Sequence, residues 1–224
     1  MKKRIPLAQR LLPDYTWAEE LTNMITHIVG GAFGIVALIL CVARAAYHRD
    51  VLAVWMSAIY CLSMIALYTM SSVYHGLRRG TGKKVLQIID HCTIYLLIAG
   101  TYTPVVMCAL RPVYPAIGWG LMIFVWSLAI LATVLTAIDL QKYSVFSMVC
   151  YIGIGWAILP FMGQVYTVLG QTGFLLLLFG GIAYTVGAIA YGIGSKMHWM
   201  HPVFHLFVLL GSVLHFLTIY LYVI

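Results

Sequence analysis

The chain has 224 residues, of which 63% are hydrophobic and only 8% are Asp, Glu, Lys or Arg. Soluble domains run at roughly 45–50% apolar and about 25% charged, so a soluble globular protein is excluded. The apolar residues, about 141 of them, suffice for seven bilayer crossings of about 20 residues each and leave only short loops. The net charge of +7 reads as basic loops that set topology and meet anionic headgroups, so no nucleic-acid partner is expected. Five cysteines (Cys41, Cys61, Cys92, Cys108, Cys150) are scattered through apolar stretches without a C-x-x-C pair. They read as small buried residues.

Taken in order, the apolar stretches predict helical spans at about 25–47, 51–75, 88–110, 115–138, 143–163, 171–194 and 201–223. Lys2, Lys3 and Arg4 resemble the start of a signal peptide, but Asp14, Glu19 and Glu20 precede the first apolar run. That run is too long for a signal core, so it is expected to be an uncleaved span. Strands of about ten alternating residues, the mark of a barrel, are absent. Pro104 and Pro160 fall inside spans and predict kinks. Gly30 with Gly34, and Ala183 with Gly187, suit close helix contacts. The expected class is an all-α, seven-transmembrane helix bundle forming a single membrane domain over residues 1–224.

Lys and Arg on alternate sides divide ten to three. Lys2, Lys3, Arg4, Arg10, Arg78, Arg79, Lys83, Lys84, Lys142 and Lys196 fall on one side; Arg44, Arg49 and Arg111 fall on the other. The positive-inside rule then predicts a cytoplasmic N-terminus and an outside C-terminus. In this topology His75, at the end of the second span, shares a depth with Asp90 in the third and with His201 and His205 in the seventh. Ser71 lies one turn deeper than His75.

His201 and His205, four apart, share a helix face, the spacing by which one helix supplies two metal ligands. Pro202 sits in the first turn, where it forfeits no hydrogen bond. Three imidazoles around an open position describe a catalytic zinc site. Asp90 could take a proton from water there, and Ser71 could donate to an oxyanion or orient the water. The competing interpretation is that these histidines are interfacial anchors or packing residues.

These residues and their flanks resemble the progestin and adipoQ receptor/hemolysin III family of seven-span proteins, in its bacterial hemolysin III-like branch. Glu20 to His27 resembles the family's E-x-x-N-x-x-x-H motif, Ser71 to His75 its S-x-x-x-H, and His201 to His205 its H-x-x-x-H, followed by His215. The stretch from Asp90 to Pro104 resembles the bacterial version of the third span. The resemblance implies Zn2+ held by His75, His201 and His205, with Asp90 reaching it through water. It also implies hydrolysis of amide-linked lipids such as ceramide, and residence as a multi-pass protein in the bacterial cytoplasmic (inner) membrane.

Glu20, Asn23 and His27 are expected to form a second layer or lid around the metal, or simply a capped helix start. His215, too deep to share the metal, is expected to pack or to support the site from behind. His91 is expected at the interface, and His48 and His198 in loops. Asp139, beside Lys142, reads as a solvated loop charge.

The leading functional expectation is a zinc-dependent hydrolase of a membrane lipid amide or ester. A non-catalytic receptor or regulator of membrane lipid state with structural zinc is the alternative, as is a lytic role of the hemolysin III type. A transporter or channel would place charges at mid-membrane and pair broken helices in two halves, neither of which is evident. A retinal protein is excluded, since residues 201–224 contain no lysine.

Overall fold

The computed structural model describes residues 6–194 and 197–224. Among the counted basic residues Lys2, Lys3, Arg4 and Lys196 lie outside that description, as does Ser195. Every regular element described is helical. Helix α1 spans Trp17–Tyr47 and starts eight residues before the expected apolar run. Its start is set by a capping box: Thr16 accepts from the Glu19 amide, while the Glu19 carboxylate accepts from the Thr16 amide and hydroxyl, both at 2.8 Å. Helix α2, Val51–Gly76, begins with Asp50 accepting from the Ala53 amide at 2.9 Å.

Helix α3 covers Thr81–Pro104. The kink expected at Pro104 takes the form of a wider π-helical segment, Val105–Leu110, followed by a short α-turn at Arg111–Val113. Proline lacks the amide proton that a regular turn needs, and the regular part of α3 ends at Pro104. Helix α4 runs Pro115–Ile138, with proline at its first position, where no bond is lost.

The expected spans at 143–163 and 171–194 fall within one apolar helical stretch, Ser144–Gly194. The described residues therefore contain six stretches long and apolar enough to cross a membrane, where the sequence predicts seven. No polar loop separates the two halves, so helical pairing nearly runs through. It is interrupted twice: α5, Ser144–Gly155, gives way to a 3-10 turn at Leu159–Phe161 containing Pro160. Helix α6, Met162–Gly194, is broken at Gly170, whose φ of 67° favours glycine. Trp156 and Thr185, on opposite sides of Gly170, meet through an indole-to-hydroxyl bond of 2.9 Å. Helix α7 spans Met200–Tyr222.

Helices α1 and α2 pack closely because glycine faces an aromatic ring: a Cβ on Gly30 would lie 2.5 Å from the Tyr68 ring. Helix α7 lies against both. Thr26 and His205 meet at one end of the α1–α7 contact, and Arg44 donates to the Ile224 carbonyl at 2.7 Å at the other. The two helices therefore run parallel. Large apolar side chains such as Ile35, Ile39, Ile123 and Phe124 face outward, while Tyr60, Tyr68, Ser212 and His205 are buried. This distribution suits a lipid surround, where the polar groups must find partners within the bundle.

Asp139 is not solvated. It is 2% exposed, accepts from the Lys142 amide at 3.1 Å and lies 3.9 Å from the Arg10 guanidinium. Arg10 also donates to the Ile138 carbonyl. The segment before α1 crosses this end of the bundle, and that path, invisible to local sequence, brings Arg10 to α4.

Candidate metal centre

Two helix ends meet at the centre of the site. The last turns of α2 bury Ser71, Ser72, Tyr74 and His75. The first turns of α7 bury His201, Pro202 and His205 behind Trp199, a left-handed residue with φ 67°. His201 Nε2 lies 3.1 Å from His205 Nε2 and 3.4 Å from His75 Nε2. All three ligand atoms fall within 4.8 Å of one another.

The other ring nitrogens decide what these atoms offer. His75 Nδ1 donates to Glu20 Oε2 at 2.6 Å. His205 Nδ1 faces the Asn23 carbonyl and the Thr26 hydroxyl, whose own proton is directed to the Thr22 and Asn23 carbonyls. Both Nδ1 atoms are thus donors, and both Nε2 lone pairs point at His201 Nε2. A single ring proton can satisfy only one of them. Metal–nitrogen bonds of about 2.0–2.1 Å in a tetrahedron separate the nitrogens by about 3.3 Å. The observed 3.1 and 3.4 Å match two edges of that tetrahedron and the third pair lies within 4.8 Å, so the donor set could hold a metal ion.

The supporting layer is aromatic and acidic. The His27 ring stacks on His205 with centroids 3.6 Å apart, and Tyr68 meets His27 edge-on at 4.9 Å. Both His27 nitrogens and the Asn23 side-chain amide are buried without a protein partner. Polar groups of that kind beside the histidine cluster could bond a water or a ligand. Tyr15 stacks on His201 at 4.7 Å. Burial, with Tyr191 and Glu20 nearby, raises the Tyr15 hydroxyl above its ordinary range, so it stays protonated. Glu20 turns its second oxygen to Lys83 Nζ at 2.6 Å.

A cavity of about 140 Å³ opens beside the cluster. Ser71, Asp90, His27, His201 and His205 line it, and Ser71 pairs with the Asp90 carboxyl. His91, expected at the interface, also lines this cavity. His215 lines it too, about 15 Å of helix rise beyond His205. There His215 Nε2 bonds the Leu177 carbonyl at 3.1 Å, and its ring packs on Gly180 and Tyr184. His215 is thus far from the cluster, whereas Glu20 and His27 touch it directly. His198, 3.2 Å from Glu19, tethers the segment before α7. Tyr15 and Lys83 are the site residues that sequence reasoning passed over. Lys83 had a usable signal, because it lies seven residues before Asp90 and therefore on the same face of α3.

A family model described as Haemolysin-III related matches residues 15–216, a range that contains every residue of the cluster and its supports. The chain is 39% identical over 205 residues to Hemolysin-3 of Bacillus cereus, covering 92% of each chain. It is 36% identical over 208 residues to the Hemolysin-3 homolog of Bacillus subtilis (strain 168), covering 93% of this chain and 96% of that one. Monocyte to macrophage differentiation factor of Homo sapiens is 28% identical over 237 residues, covering 99% of this chain and 91% of the human one.

Proposed function

The chain belongs to the haemolysin-III related family, and on that footing we propose that it is a zinc-dependent hydrolase of a membrane lipid amide or ester. The observation that carries this reading is the convergence of three imidazole nitrogens at one end of an apolar-walled cavity, with a carboxyl and a hydroxyl on the cavity wall. His75, His201 and His205 would hold Zn2+. When bound, zinc supplies Lewis-acid polarisation of a carbonyl oxygen and makes water more acidic.

The remaining chemistry falls to the chain's own groups. Asp90 accepts a proton from the attacking water and returns it to the leaving nitrogen or oxygen as the acyl bond breaks. Ser71 holds the Asp90 carboxyl in place. The cavity toward His215 takes the acyl chain and keeps bulk water away from it.

The reading includes seven crossings, with the metal end cytoplasmic. The parallel contact of α1 and α7 supports an odd number of crossings, and the Trp156–Thr185 bond supports a reversal at Gly170. Arg10, Arg79 and Lys83 gather at the metal end through Asp139, Asp14 and Glu20, which supports a cytoplasmic placement in the bacterial inner membrane.

Purified protein carrying one zinc per chain, incubated with ceramides, other N-acyl lipids and phospholipid esters, tests the activity by mass spectrometry of released fatty acid. Release is expected, falling about 10²–10⁴-fold in Asp90→Asn. A zinc-loaded wild type that releases no fatty acid from any of them contradicts the hydrolase and favours the regulator of lipid state.

A further inference from the structure

Lys83 lies in the first turn of α3 and is 4% exposed. A buried ammonium is costly unless each of its protons is taken. Here all three are: Nζ donates to Glu20 Oε1 at 2.6 Å, to the Leu77 carbonyl at 3.0 Å and to the His75 carbonyl at 3.3 Å. The Tyr74 ring lies 5.1 Å from the same atom. Two of these acceptors are carbonyls at the C-terminal end of α2, which have no helical partner of their own.

His75 is therefore held twice by one side chain. Lys83 grips its backbone carbonyl directly, and through Glu20 it grips the ring, because Glu20 Oε2 accepts from His75 Nδ1 at 2.6 Å. Glu20 contributes one oxygen to each partner. The first turn of α1, the last turn of α2 and the first turn of α3 thus converge on the orientation of one imidazole. A carboxylate on the far nitrogen of a ligating histidine fixes both tautomer and ring plane, and losing such a support typically lowers metal affinity about 10–100-fold.

We propose that Lys83 is a positioning residue of the metal centre, acting through Glu20 to present His75 Nε2 to the ion. The inference rests on the reading of the three histidines as metal ligands.

The test uses full-length protein in detergent, with zinc affinity measured by chelator competition and the Co2+ absorption spectrum as a second readout. Lys83→Met should weaken zinc binding about 10–100-fold and shift the Co2+ bands. Lys83→Arg should recover part of both. Lys83→Met combined with Glu20→Gln should lose little more than Lys83→Met alone, because Lys83→Met already breaks the relay. Unchanged affinity and spectrum in Lys83→Met overturn the proposal, and so do additive losses in the double variant. If Lys83→Met does not yield a monodisperse sample, Glu20→Gln reads the relay from its middle, and wild-type affinity there overturns it. A wild type that binds neither metal contradicts the three-histidine reading itself, an outcome distinct from a wild type and Lys83→Met that bind equally.

Discussion

Ser212 gathers three tyrosines in the interior of the bundle. Tyr68 donates to its hydroxyl at 2.7 Å, Tyr184 shares that hydroxyl at 2.8 Å, and Tyr60 reaches its carbonyl at 3.4 Å. This joins α2, α6 and α7 through one small polar side chain. Ser212→Ala removes the partner of the Tyr184 hydroxyl and leaves Tyr68 its longer bond to the Val208 carbonyl at 3.4 Å, where a group left unsatisfied costs about 1–3 kcal/mol. Bonds between helices in membranes average less, about 0.6 kcal/mol, so a destabilisation of about 1–2 kcal/mol is expected. Thermal unfolding in detergent should show a midpoint lowered by a few degrees with zinc content unchanged, and an unchanged midpoint would count against the network. At this scale the histidines are legible in sequence because a four-residue spacing on one helix is local. Asp139 is not, because Arg10 lies more than sixty residues away and reaches it only through the fold; the face that Lys83 shares with Asp90 is legible, but its pairing with Glu20 is equally remote.

The ends of the elements, more than their middles, build the site. Glu19 is buried and serves two elements: it closes the capping box of α1 and accepts from the Trp199 amide at 2.6 Å and from His198 at 3.2 Å. Trp199 is the left-handed residue from which α7 starts, two residues before His201. Glu19→Ala removes the box and the latch together. It should cost on the order of 1–3 kcal/mol of stability and weaken zinc binding, measured by melting and by chelator competition on one preparation. Retention of both would mean that α7 is positioned without the latch. Hydropathy locates α2, α4 and α7 to within about a residue at each end. It misses the early starts of α1 and α3, where the helix begins before the apolar signal does, and the run-through at Ser144–Gly194, where apolar residues continue across both interruptions.

Across the whole molecule, the basic side chains near the histidines and those at the opposite end define two faces. Arg79 bonds Asp14 and the Leu12 and Pro13 carbonyls at the histidine end, whereas Arg44 bonds Ile224 at the other. With the metal end cytoplasmic, Arg49→Cys should react with an impermeant maleimide on intact cells, in a background lacking native cysteines, while Arg78→Cys should react only after lysis. The reverse pattern would invert the proposed orientation. In that orientation Asp90 and the cavity would be reached from the cytoplasmic leaflet.

The most direct test of the three-histidine centre is the metal content of detergent-purified protein by inductively coupled plasma mass spectrometry, wild type beside His75→Ala and His205→Ala. The expected result is about one zinc per chain in the wild type, lost in both variants, as a site of three imidazoles requires. A well-folded wild type that carries no zinc and takes up none when it is offered would contradict the metal centre and the hydrolytic chemistry built upon it.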